Sequence, residues 1–141
     1  MAHMGPVELM LLGRTLMKIG EQALPSAGGG ERTVVIVMSD VYDHPGTTVG
    51  EVAVRTGLPQ SAVSNAVARL RSVGSVLAGP DPADRRRQLL HRNPEPTARQ
   101  REVAAVDITA AVAGALGEHR PADLTEVLAA LETLGRHLTR H

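Results

Sequence analysis

Apolar residues recur at alternating three- and four-residue intervals at both ends of the chain. Leu9, Leu12, Leu16, Ile19 and Ala23 form one seam, widened by Met10 and Met17, and predict a helix from Val7 to Leu24. Leu124, Val127, Leu131, Leu134 and Leu138 repeat the spacing and predict a second such helix from Ala122 to about Thr139. Two terminal helices with matching stripes have little to pack against in one chain of this size. The pattern therefore predicts a homodimer, with Leu9, Leu12, Leu16, Leu124, Val127, Leu131, Leu134 and Leu138 at its interface.

The middle of the chain is patterned in shorter pieces. Pro25 and the run Ala27 to Gly30 end the first helix and predict a flexible connection. Thr33 to Tyr42 contains the β-branched run VVIVM, whose local sequence fits a buried strand as well as a helix. Its position ahead of two short helices favours helix, because such a pair needs a third to close its core. The turn DHPGTT then delivers Thr48 as an N-cap with Glu51 three residues on, a capping box that starts a helix over Val49 to Arg55. Gly57 supplies a tight turn, and Gln60 to Val73 places Val63, Val67, Leu70 and Val73 on one helix face. On the other face stand Ser61, Ala62, Ser64, Asn65, Ala68 and Arg69. This face lacks bulk and carries no acid, as close approach to a base-pair edge requires.

Gly74 ends that helix. Val76 to Ala78 and Gln88 to His91 predict two short strands, and the turn-forming segment GPDPADRRR between them holds three arginines at a hairpin tip. Asn93 as cap and Pro94 as first residue predict one long helix to about Leu116, carried by Val103, Val106, Ile108, Val112 and Leu116 and broken by Gly117 and Pro121. The expected architecture is mainly α with a small β-hairpin, six helices in all.

Composition narrows the chemistry. The 141 residues suit a single domain, residues 4–141, after Met1 to His3, which read as a cloning remnant. Within it, 4–30 and 97–141 form the dimerisation part and 33–96 the central lobe. The chain has no cysteine, which excludes disulfides, thiolate-held zinc and thiol redox sensing. No apolar run has the length of a membrane span and no signal peptide precedes the first helix, so the expected location is the cytoplasm. Tyr42 is the only aromatic residue, which argues against single-stranded nucleic acid bound by stacking.

The formal net charge is zero, yet Arg55 to Arg101 holds nine arginines against Asp81, Asp84 and Glu95, a local balance of +6. One basic face on a neutral protein is the footprint of a local polyanion contact. Other chemistry is thinly represented. His137 and His141 have metal-ligand helix spacing without a third ligand, Asp40 and Asp43 lack a partnered base, and Gly28 to Gly30 lacks the Lys and Ser or Thr of a phosphate loop. No metal, cofactor or catalytic residue is expected, so an enzyme is not.

VGEVAVRTGLPQSAVSNAVARLRSVGSV followed by DPADRRRQLL and NPE resembles the helix-turn-helix, wing and following helix of MarR-type transcriptional regulators, in that order and spacing. The resemblance implies a winged helix-turn-helix fold that dimerises through its terminal helices. It also implies a repressor responsive to a small ligand and bound to a pseudo-palindromic double-stranded operator, with the Gln60 to Val73 helix in the major groove and the wing in the flanking minor groove. Carried over by position, Gln60, Ser61, Ala62, Ser64, Asn65 and Arg69 become DNA contacts, as do Arg85, Arg86 and Arg87 of the wing, with Asp84 bracing the wing arginine. A small lipophilic or phenolic effector would meet Met10, Arg14, Met17, Met38 and Tyr42. Without cysteine the peroxide-sensing branch is excluded.

The chain departs from the family at several positions. Asn65 stands where arginine is common, Pro59 and Gln60 where serine or threonine is usual, and Arg92 and Pro96 where leucine and glycine are expected. The competing expectation is a dimeric helical protein-interaction module that has lost specific DNA binding.

Overall fold

The computed structural model describes residues 3–25 and 29–139. Part of the expected cloning remnant (Met1 and Ala2), most of the glycine-rich connection (up to Gly28) and His141 of the histidine pair lie outside the described residues. The described elements run α1 (Pro6–Ala23), α2 (Glu31–Asp43), α3 (Val49–Thr56), α4 (Gln60–Ser72), β1 (Val76–Asp81), β2 (Asp84–Arg92), α5 (Ala98–Ala104), α6 (Thr109–Leu116) and α7 (Pro121–Leu138). They fall into two compact units, residues 26–105 and the pair of segments 1–25 and 106–141.

In the central unit, Val37 and Val41 of α2, Val52 of α3, Val63, Ala66, Val67 and Leu70 of α4, Val76 of β1 and Leu90 of β2 form one buried aliphatic cluster. The run VVIVM is helical. Its β-branched residues cost a few tenths of a kcal/mol each in a helix, whereas complete burial of Val37 and Val41, one turn apart, returns about 1.5–3 kcal/mol apiece. The capping box forms as its spacing predicts: Thr48 Oγ1 accepts from the Glu51 backbone N–H and the Glu51 carboxylate accepts from that of Thr48. Gly57 ends α3 in the left-handed region, at φ 72°.

β1 and β2 pair antiparallel from Val76 opposite Arg92 to Pro80 opposite Gln88. The turn before α3 joins this hairpin: Leu90 donates its N–H to the Thr47 carbonyl (2.7 Å), and Gly46 donates to that of Leu90 (2.9 Å). The hairpin is thereby held against the helices at its base.

Two expectations fail beyond α4. Val73 leaves the buried face of α4 and is 40% exposed, because the helix ends at Ser72. The long helix expected from Pro94 to Leu116 is two, which makes seven helices among the described residues where six were expected. Thr97, not Asn93, caps the first, in a second capping box with Gln100. Asn93 instead accepts from the Glu95 N–H and donates from Nδ2 to the Gly74 carbonyl. The break follows Ala105, where the Asp107 carboxylate accepts from the Thr109 N–H at 2.6 Å and starts α6. Bonding to Thr109 holds the Asp107 carboxyl below its ordinary pKa.

The second unit contains α1, α6 and α7, and its only fully buried large side chain among the described residues is Val112. Neither α1 nor α7, each 18 residues long, buries a residue completely. No helix among the described residues is long and apolar enough to cross a membrane.

Candidate nucleic-acid interface

The geometry of α4 follows from the positions of its buried residues. Val63, Ala66, Val67 and Leu70 lie against the core; at about 100° per residue the opposite side is centred on Ser61, Asn65, Ala68 and Ser72. Ser61, Ser64, Asn65 and Ala68 are exposed and Ala62 is half-buried. Gln60 is exposed at the first position of the helix. No acid lies anywhere on α4. Arg69 and Arg71 flank this surface on its two edges.

Charge alone does not make the two edges equivalent. Arg69 donates from Nη1 to the Gly29 carbonyl at 2.6 Å, pinning it to the segment that leads into α2. Arg71 is exposed and its guanidinium has no partner among the described residues. Arg69 is among the DNA contacts expected from the sequence and Arg71 is not; the bond that engages Arg69 spans forty residues.

The wing has an irregular tip. Pro80 lies opposite Gln88, but Asp81 lies opposite Asp84, so Arg85, Arg86 and Arg87 are accommodated where the register shifts. All three are exposed. Asp81 accepts from the Ala83 N–H (2.9 Å) and Asp84 from that of Arg86 (3.0 Å). Asp84 thus supports the wing through the backbone of Arg86 and pairs with neither adjacent guanidinium. Arg87 reaches Glu51 of α3 at 3.5 Å, both side chains about half exposed. Such a pair contributes little to stability but draws Arg87 toward α3. The guanidinium groups of Arg85 and Arg86 have no partner among the described residues.

The remaining arginines of the basic stretch are structural. Arg55 forms a two-pronged pair with Asp40, 2.8 Å at the shorter contact, and also donates to the buried Thr47 hydroxyl. Its hydrogen bond to Asp40 is the main cause of a pKa raised above the arginine norm. Arg92 lies over the Tyr42 ring, 4.4 Å from its centre. Arg99 faces Glu102, and Arg101 donates to the Pro96 carbonyl.

The residues expected around an effector are not brought together as a single lining in either unit. Met10, Arg14 and Met17 belong to α1 in one unit, Met38 and Tyr42 to α2 in the other. Met38 and Tyr42 pack against the aliphatic core. The Tyr42 hydroxyl is taken up by Ser75 Oγ (2.7 Å) and by Gln100 Nε2 (3.0 Å). A groove of about 640 Å³ opens elsewhere, lined by Val106 to Thr109 and by one side of α7 including Leu128, Leu131 and Glu132. None of the five expected residues lines it.

A helix-turn-helix of α3 and α4, preceded by α2 and followed by a two-stranded wing, is also the region that matches a family model. The MarR family model covers residues 32–87, from the start of α2 through the last wing arginine. Over this stretch the chain is similar to the MarR family. Its fold is the winged helix of MarR-type proteins, and solved structures agree in fold along almost its whole length.

The apo form of wild-type MarR from Escherichia coli is 13% identical, covers 94% of this chain and 98% of its own, and superposes with a TM-score of 0.58. PcaV from Streptomyces coelicolor, solved in complex with its natural ligand, is 20% identical over 96% of this chain and 98% of its own, with a TM-score of 0.53. FabT from Streptococcus pneumoniae, solved in complex with DNA, is 16% identical over 92% of each chain, with a TM-score of 0.51. At these identities the likeness to MarR, PcaV and FabT is one of fold. No curated protein sequence matches the chain.

Proposed function

We propose that this protein is a transcriptional regulator that binds a specific double-stranded operator as a homodimer, represses from it, and releases it in response to a small ligand. The observation that carries the reading is the outward face of α4, small, free of acid and unoccupied at its centre, beside two uncommitted wing arginines. An ordinary solvated helix has no reason to exclude acids from its whole length. In this reading α4 enters the major groove, where Gln60, Ser61, Ala62, Ser64 and Asn65 meet base edges, while Arg85 or Arg86 enters the flanking minor groove. Arg71 takes a phosphate. Arg87 acts from the wing toward α3.

Dimerisation is supported by the apolar surface of the terminal helices. Leu9 is 60% exposed, Met10 75%, Leu134 44% and Leu138 75% in the single chain. A second copy related by a twofold axis would cover both stripes and set two α4 helices about 34–36 Å apart, one turn of DNA. Ligand response is supported by the family and by PcaV, whose structure holds a natural ligand.

Selection of bound duplexes from a random pool tests the proposal. An enriched pseudo-palindrome with half-sites one helical turn apart is the expected result. No enrichment, with a dimer in solution, would favour the helical protein-interaction module instead.

A further inference from the structure

We infer that Asn65 reads an adenine in each half-site and is a specificity-determining residue of the protein; this rests on the proposed DNA-binding reading. Four observations converge on it. Asn65 lies within about 30° of the mid-line of the outward face of α4, whereas Gln60, the other amide on the helix, is about 110° away beside the buried edge. Its neighbours on that surface, Ser61, Ser64 and Ala68, are all small, so the Asn65 side chain stands proud of them. Its carboxamide has no hydrogen-bond partner among the described residues. Arg69, one turn on, is drawn off to the Gly29 carbonyl and does not compete for the same base.

The chemistry of a free carboxamide then selects the base. It offers one acceptor oxygen and one donor nitrogen side by side. Adenine presents N7 as acceptor and N6–H as donor in the major groove, which meets both at once. Guanine presents two acceptors, N7 and O6, and can satisfy only the amide nitrogen. Cytosine and thymine each supply a single complementary group. The serines around Asn65 can donate or accept and therefore add affinity without choosing among bases.

The test uses the full chain and the duplex it enriches from a random pool. Within each half-site one A·T pair is expected at which exchange to G·C weakens wild-type binding about 5- to 150-fold, the range of one good two-point contact. Replacing that adenine by 7-deazaadenine, which keeps Watson–Crick pairing but removes the N7 acceptor, should weaken wild type several-fold. Asn65→Ala should be indifferent to both changes while keeping its preferences at other positions. Asn65 is exposed and alanine is the better helix former, so the variant retains the wild-type melting transition by circular dichroism. If wild type enriches a sequence but Asn65→Ala keeps every base preference, the assignment of Asn65 is overturned and the regulator reading stands. If wild type enriches no sequence, both fall.

Discussion

The hydroxyl of Tyr42, the only aromatic residue in the chain, lies 2.7 Å from Oγ of Ser75, which is almost fully buried at the entrance to β1. Gln100 of α5 donates to the same hydroxyl, so one phenol joins α2, the start of the wing and α5. Removing that oxygen with Tyr42→Phe deprives Ser75 of its closest partner, and Gln100 at 3.4 Å replaces it poorly. The variant should lose about 1–2 kcal/mol of stability. In urea the midpoint should fall with an unchanged slope; an unchanged midpoint would mean that the hydroxyl is not used in this way.

Gly74 is held at φ 77°, and a Cβ there would lie 2.7 Å from Cγ2 of Thr97. Gly74→Ala therefore combines a left-handed penalty of about 1–2 kcal/mol with a steric clash. Thr97→Ser removes Cγ2 and keeps the hydroxyl that caps α5, so it should recover part of the loss in the double variant. Additive effects of the two substitutions would show that the side chains do not meet.

Much of the central unit is local and was therefore readable. The Thr48 and Glu51 capping box, Gly57 and the Gly74 stop each depend on residues within one turn. Readable but misassigned was the boundary after the wing: Thr97 and Gln100 have the same capping-box spacing, yet Asn93 followed by Pro94 offers an equally local start. The apolar positions Val103, Val106, Ile108 and Val112 run on through the break between α5 and α6, and only Asp107 two residues before Thr109 marks it. For VVIVM the local sequence was silent, because burial of Val37 and Val41 by other elements makes that decision. The commitments of the arginines were unreadable for the same reason: Arg55 meets Asp40, and Arg69 meets Gly29, only once the chain has folded.

Those commitments divide the arginines by their effect on salt dependence. For binding to the enriched duplex, Arg71→Ala or Arg86→Ala should each reduce the slope of log K against log salt by about 0.9 per subunit. Arg55→Met should leave the slope alone but cost about 1–3 kcal/mol of stability, since the Asp40 side chain, 12% exposed, loses its guanidinium. A slope unchanged in both Arg85→Ala and Arg86→Ala would place the wing off the DNA.

The exposed stripes of α1 and α7 make the oligomeric state testable without DNA. Wild type should sediment as a dimer. Leu9→Glu combined with Leu138→Glu should sediment as a monomer, because each buried leucine contributes about 1.5–3 kcal/mol and a twofold interface counts every substitution twice. Both positions are more than half exposed in the single chain, so the charges should disturb its own packing little. A wild-type monomer, or a variant that stays dimeric, would assign these surfaces another role.

The central claim is sequence-specific reading of a DNA duplex by α4 and the wing, and the ratio of two dissociation constants measures it. At one fixed, physiological salt concentration, the duplex enriched from the random pool should bind about 10³-fold or more tightly than a scrambled duplex of equal length and composition. Equal affinities for the two duplexes would contradict the account.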